Sequence, residues 1–295
     1  MSMTTELMSE VEVTDQARRA AEQAACRARV TVRDTLALGD IAEVAGLFDE
    51  TWSTGSDASV LPANLVRALA HAGSCLMGAY ADGDLVGAVF GFVGMRGKPH
   101  LHSHMLAVCS GVQRGGIGFA LKQYQRAWAL AHGLELVHWT FDPLVRRNAH
   151  FNLCKLGAEI VAYHEHFYGQ MIDNVNAGDE SDRVEIRWSV RSERAIAASE
   201  GRGIEPDVEA LLARGAQVVL GKEADGSPRA VDATGPLLLF RLPSDIVALR
   251  RTDPALAMEW RKALRDSMGG AIHDGCAVTG ISRTGWYVLE KRPQA

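Results

Sequence analysis

The run Met105-Leu-Ala-Val-Cys-Ser-Gly-Val-Gln113-Arg114-Gly115-Gly116-Ile117-Gly118-Phe119-Ala120 joins an apolar, strand-like segment to a helix through a cluster of glycines. Such a turn leaves the first N–H groups of the helix without acceptors, at the end where the helix dipole favours negative charge. Glycine lets phosphate oxygens approach those amides and tolerates positive φ. The turn is therefore a candidate pyrophosphate cradle, to which Arg114 and Lys122 add charge. Its spacing is neither G-x-G-x-x-G followed by an acidic residue nor G-x-x-x-x-G-K-[ST], so the two common nucleotide fingerprints do not apply.

Working outward, the helix after the turn presents Leu121, Tyr124, Trp128 and Ala131 on one face and stops at Gly133. Residues 134–141 form a buried strand. Asp142-Pro143 starts a helix whose face Ala149, Leu153, Leu156 closes at Gly157. Upstream, strands are predicted at 75–80 and 85–95, joined by an Asp82-Gly83 hairpin turn, and at 100–109. Before them come a strand at Val30-Thr-Val-Arg, a helix carrying Ile41, Val44, Leu47 and Phe48, and a helix over 62–72. The order β, α, α, β, β, β, α, β, α, followed by strands through Tyr163 and from Glu185 to Val190, describes a mixed α/β (α+β) domain over 30–190.

Two regions flank it. Residues 1–29 are a helical extension, rich in alanine and poor in large apolar groups, expected to be peripheral. Residues 191–204 lose periodicity and collect glycine, serine and charge, as a linker does. It opens a smaller C-terminal α+β domain, 191–295, with strands at 237–241, 276–283 and 286–290. Its helix starts at Asp253-Pro254 and aligns Leu256, Trp260, Leu264 and Met268. This succession is compatible with a degenerate copy of half the first domain.

The 295 residues contain no apolar run near the ~18 that a membrane span requires. Glu6, Glu10 and Glu12 stand where a leader would be basic, so a cytoplasmic protein is expected. A net charge of -5 removes any general pull toward nucleic acid. The five cysteines, without a CxxC spacing, read as buried thiols in a reducing compartment. The expected partner is a small molecule, with no nucleic acid and no membrane, and a homodimer is compatible with the sequence.

Read as Gln113-x-x-Gly116-x-Gly118, the turn resembles the Q/R-x-x-G-x-G/A signature of the GCN5-related N-acetyltransferases, the GNAT family. The element order of 30–190 resembles that fold. Leu101-His-Ser-His-Met-Leu, Trp139-Thr-Phe-Asp-Pro-Leu and Asn148-Ala-His-Phe-Asn resemble a poorly characterised group of predicted GNAT acetyltransferases. The resemblance implies acetyl-coenzyme A or another acyl-CoA as co-substrate. Its pyrophosphate would rest on Gln113, Arg114, Gly115, Gly116, Ile117, Gly118, Phe119 and Ala120. Its pantetheine would lie along Leu106, Ala107 and Val108, facing 139–142. Many family members carry a tyrosine that protonates the leaving thiolate where this chain has Leu153. Tyr168, further downstream, becomes the candidate donor.

His100, His102 and His104 alternate along one strand and so project from one face. Same-face neighbours ~6.6 Å apart suit two metal ligands better than three, even with His164 and His166 as a second H-x-H pair, and no metal is expected. His104 or His102 is instead the candidate base for an ammonium acceptor. The polar stretch 168–183 is a candidate acceptor loop containing Asp173 and Asn176, with Arg183 as a carboxylate clamp and Trp139 beside the acceptor. Arg250-Arg251 and Arg261-Lys262 read as solvated helix faces. The expected function is N-acyl transfer from acyl-CoA to a primary amine, such as that of an amino acid. The alternative is a non-catalytic acyl-CoA sensor or structural module of the same fold.

Overall fold

The computed structural model describes residues 8–52, 59–112, 115–169 and 179–291. In chain order the elements are α1 (Glu10–Ala28), β1 (Thr31–Asp34), α2 (Leu38–Trp52), α3 (Ala63–His71), β2 (Cys75–Ala81), β3 (Asp84–Gly94), β4 (His100–Val108), α4 (Ile117–Ala131), β5 (Leu136–Phe141), α5 (Arg146–His150), β6 (Glu159–His164) and β7 (Arg183–Ser189). They continue as α6 (Glu193–Ser199), α7 (Val208–Ala213), β8 (Gln217–Lys222), β9 (Pro228–Ala230), β10 (Leu237–Arg241), α8 (Ile246–Thr252), α9 (Pro254–Leu264), α10 (Gly270–His273), β11 (Cys276–Ile281) and β12 (Trp286–Lys291). A seven-stranded sheet runs β1-β2-β3-β4-β5-β7-β6, and a five-stranded sheet runs β11-β12-β10-β8-β9. The mixed α/β order expected over 30–190 is present, and a second sheet follows it.

The chain divides into two compact units that do not follow the boundaries expected from sequence. One comprises the chain to Thr51, Ser59–Val137 and Ser189–Glu200, and the other Trp52, His138–Trp188 and the chain from Gly201. In the first unit, Asp82 (φ 55) and Gly83 (φ 96) make the hairpin between β2 and β3. Both lie at positive φ, the twist that matches paired strands.

Two expectations for this unit are corrected. Helix α1 is not peripheral: Val13, Ala17, Ala20, Ala21, Ala24, Ala25 and Ala28 are buried, and the helix lies against α4. Alanine gives little hydropathy contrast, but its small side chain lets two helices approach closely, with Arg126 of α4 bonded to the Gln16 side chain (2.9 Å) and the Val190 carbonyl (2.8 Å). Arg126 is buried in this contact, and Lys122, Gln123 and Gln125 of α4 are buried as well, while Trp128 is half-buried and stacks on His132 at 3.9 Å. The expected linker is also ordered. Ser192 caps α6 through the Ala195 amide, and Ser199 accepts from Gln16 at 3.0 Å.

In the second unit, Asp142 does not start a helix. Its carboxylate accepts from the Leu144 amide (2.9 Å) and from two arginines, and α5 begins at Arg146 before widening into a π turn over Phe151–Lys155. Arg250 and Arg261 are not on solvated faces. Arg261, 0% exposed, forks onto both Asp142 oxygens at 2.9 Å and reaches Asp179 at 2.8 Å. Arg250 bonds Asp142 and, at 2.7 Å, Asp179. Burial would push the Asp142 carboxyl up, but the Arg261 and Arg250 charges reverse this and hold it well below the usual carboxylate range. Arg251 and Lys262 are exposed, as expected. Of the thiols, Cys75, Cys154 and Cys276 are buried, whereas Cys26 is exposed and Cys109 half-buried.

Candidate active site

The turn before α4 lies wholly in the first unit. Gly116 is the N-cap at φ 103, no side chain among the described residues caps the helix, and its first turn holds no acidic residue. The early amides therefore stand at the positive end of a 15-residue helix without an internal anion. Gly115 and Gly116 are exposed, Gly118 and Phe119 half-buried, and Ile117 and Ala120 buried. The glycines differ in what they permit. Gly116 needs its positive φ, whereas a Cβ on Gly118 would meet Leu106 Cδ2 at 3.5 Å and Val108 Cγ2 at 4.0 Å, ordinary contacts. Packing thus leaves space at Gly118, and the uncapped amides suit a pyrophosphate. Gln113 and Arg114 lie outside the described residues.

His102 and His104 share a face, as alternation predicts, but the alternation does not continue past them. β3 and β4 pair Phe90 with Met105 but Gly91 with Ser103, so β4 holds one extra residue, His104. On one side Ser103 meets Lys122 and Gln125 of α4, and Leu106 lies against Gly118. On the other, the His102 and His104 rings are 5.9 Å apart and lie 5.0 and 5.8 Å from Phe92. The bulge therefore separates Leu106 and Val108 from the histidine face. His104 is exposed at the surface, yet loss of solvation against these rings lowers its pKa below the ordinary imidazole value. It is neutral at neutral pH, the state a base requires. His100 is buried, with Nδ1 2.9 Å from the Lys98 carbonyl.

Lys122 faces inward. Its ammonium donates to Ser103 Oγ (2.7 Å) and Gln125 Oε1 (3.2 Å), and burial lowers its pKa to about 7. An unfolded lysine titrates near 10.5, so between pH 7 and 10.5 the unfolded chain holds a proton that the folded chain has shed. Stability should therefore rise with pH through this window, by up to about 1.4 kcal/mol per pH unit, and lack this contribution below pH 7. Urea unfolding of wild type and Lys122→Met should show that slope in the wild type alone, and parallel profiles would remove the assignment. Coenzyme A affinity should be equal in the two proteins.

The remaining expected site residues belong to the second unit. Tyr168 is exposed, its hydroxyl 3.3 Å from Thr140 Oγ1. Arg183 is buried, donates to the Asp182 carbonyl at 2.8 Å and lies 5.4 Å from the Tyr168 ring centroid. The Asp179 and Asp182 carboxylates bind Arg250, Arg261 and Arg265. Trp139 is buried edge-on to Trp188, and Leu153 is buried in the π turn. Asp173 and Asn176 lie outside the described residues. His164 and His166 separate: His164 bonds Glu185 at 3.0 Å, whereas His166 stands 3.9 Å from Glu180. The group His166, Glu180, Asp182 brings candidate ligand atoms within 4.8 Å, but Arg265 already binds both carboxylates. Sequence reasoning passed over His138 and Glu185, which lack a local motif and meet only through strand pairing.

Residues 41–157 match the family model described as Acetyltransferase (GNAT) family. No curated protein matches the chain. Among solved structures, a GNAT-family acetyltransferase from Streptococcus pneumoniae is similar at 17% identity, covering 54% of this chain and 97% of that one with a TM-score of 0.43. The ribosomal-protein-S18-alanine N-acetyltransferase of Escherichia coli is similar at 10% identity, 55% and 94% coverage and TM-score 0.44. An aminoglycoside 6'-N-acetyltransferase solved with coenzyme A is similar at 17% identity, 55% and 96% coverage and TM-score 0.42. No helix among the described residues is long and apolar enough to cross a membrane. With the strand, glycine turn and uncapped helix inside the matched segment, residues 41–157 belong to the acetyltransferase (GNAT) family, whose enzymes are acyl-CoA-dependent N-acetyltransferases that use acetyl-CoA.

Proposed function

We propose that this protein moves an acetyl or other small acyl group from acyl-CoA to the primary amine of a small molecule that also carries a carboxylate. The observation that carries this reading is the uncapped N-terminus of α4, with space at Gly118, inside the family-matched segment. The acceptor ammonium gives a proton to neutral His104, directly or through water. The amine nitrogen then attacks the thioester carbonyl, the C–S bond breaks as the nitrogen gives up its second proton to solvent, and the thiolate takes up a proton from solvent or from a phenol, for which Tyr168 is the candidate. Alignment of amine and thioester supplies much of the rate, so few catalytic groups are needed. Arg183 is the proposed carboxylate clamp.

The test is an amine panel with acetyl- and succinyl-coenzyme A, read as free thiol. Coenzyme A binding without thiol release from any amine would favour the sensor alternative, which the buried Leu153 at the usual tyrosine position supports. In an active enzyme, His104→Ala should lower kcat about 100-fold with little change in coenzyme A affinity. The acid limb of the pH-rate profile, set by the lowered His104 pKa, should vanish with it. Full activity in both His104→Ala and His102→Ala would assign deprotonation to another group.

A further inference from the structure

A set of polar side chains lies on β5, β7 and β6, of which His138, Glu185 and His164 are not used above. Val137, Trp139 and Phe141 of β5 and Val184, Ile186 and Trp188 of β7 are buried, which leaves His138, Thr140 and Glu185 on the opposite face. Glu185 sits between two imidazoles, with His138 Nδ1 3.3 Å from one oxygen and His164 Nε2 3.0 Å from the other. From His164 the contacts continue to the Phe167 ring at 5.4 Å and on to Tyr168, edge-on at 4.7 Å. The Tyr168 hydroxyl lies 3.3 Å from Thr140, two residues along β5 from His138, and so the circuit closes. Arg183, of the same strand parity as Glu185, has its guanidinium 5.4 Å from the Tyr168 ring. The ring of side chains thus has a carboxylate at one end, a guanidinium at the other and two half-exposed aromatics as a wall.

We propose that this ring binds a small zwitterion, its cationic group on Glu185 and its anionic group on Arg183, and that this zwitterion is the acyl acceptor. The last clause rests on the transferase reading above. Side chains two apart on a strand start only ~6.6 Å from one another. A ligand bridging both heads therefore carries its opposite charges a few ångström apart, as an α- or β-amino acid does. Burial would raise the Glu185 pKa, but hydrogen bonds from His164 and His138 outweigh it and keep the carboxylate charged. Arg183 stays cationic despite burial, since guanidinium does not give up its proton in proteins.

The experiment is calorimetric binding of the twenty standard amino acids to the full chain in the presence of coenzyme A, each binder also tested as its carboxamide and its N-acetyl derivative. At least one amino acid should bind, and both derivatives should bind about tenfold or more weakly, because each loses one charge-assisted contact. Glu185→Gln should weaken the parent about tenfold and narrow its advantage over the N-acetyl derivative, while Arg183→Lys narrows its advantage over the carboxamide. Binding of no amino acid, or both advantages surviving in both variants, would overturn the site. Thiol release separates the two readings. An amine without a carboxylate, acylated equally fast by wild type and Glu185→Gln in the absence of amino-acid binding, would keep the transferase and remove the zwitterion site. Amino-acid binding with the expected variant effects but no thiol release would keep the ring and remove the transferase.

Discussion

Gly118→Asp should lower coenzyme A affinity at least about tenfold while the protein stays folded, because each charge-assisted hydrogen bond lost is worth ~1.5–3 kcal/mol. The fold tolerates the change for two reasons. A Cβ at this position meets Leu106 Cδ2 at 3.5 Å, an ordinary contact, and a carboxylate in the first turn of α4 interacts favourably with the helix dipole. That same carboxylate occupies the uncapped amides and repels a pyrophosphate. Gly116→Asp should abolish binding too but is the poorer test, since at φ 103 any side chain adds strain of order 1–3 kcal/mol. Gly115→Ala, with nothing within 4 Å of its Cβ, is the neutral control for folding. Calorimetry giving wild-type affinity for folded Gly118→Asp would end the phosphate assignment.

Arg261→Ala should cost about 3–5 kcal/mol of stability, because it removes one of two cations from two buried carboxylates. Asp142 and Asp179 are 6% and 3% exposed at their side chains and would share Arg250 alone. The pH dependence distinguishes this from a loss of packing. In the wild type the depressed Asp142 pKa contributes stability above the unfolded value of 3.8 and loses it as pH falls through the folded value. Without Arg261 the carboxyl shifts upward and takes a proton more readily, so the gap between wild type and variant should narrow toward about pH 4. Urea unfolding at neutral and acid pH reads both quantities. Arg251→Ala, on the exposed neighbour, should stay within ~0.5 kcal/mol. A loss of that size for Arg261→Ala would return it to the helix surface.

The legible part of this protein is the part whose signals are local. Asp82-Gly83 announced the β2–β3 hairpin through the backbone needs of a two-residue turn, and the apolar runs on either side of Gly115-Gly116 marked β4 and α4. The glycine spacing carried the family, and the family model covers the same segment. Where polar side chains are buried, local pattern fails. Arg126 finds Gln16 at a separation of 110 residues and Arg261 finds Asp142 at 119. A window of neighbouring residues contains neither partner, so a buried arginine reads as a solvated one.

The site divides in the same way. Sequence alone determined the glycine turn, the polarity of the helix that follows it and the presence of histidines on the strand before it, since each depends on residues adjacent in the chain. Only the tertiary structure decided the rest. It turned Lys122 into the interior, inserted His104 as the extra residue that moves Leu106 and Val108 to the α4 side, and joined His138, Glu185 and His164 from three strands. The reason is physical: turn chemistry and hydropathy periodicity are properties of a short stretch, whereas register, bulges and the burial of a charge are fixed by whichever distant partner satisfies it.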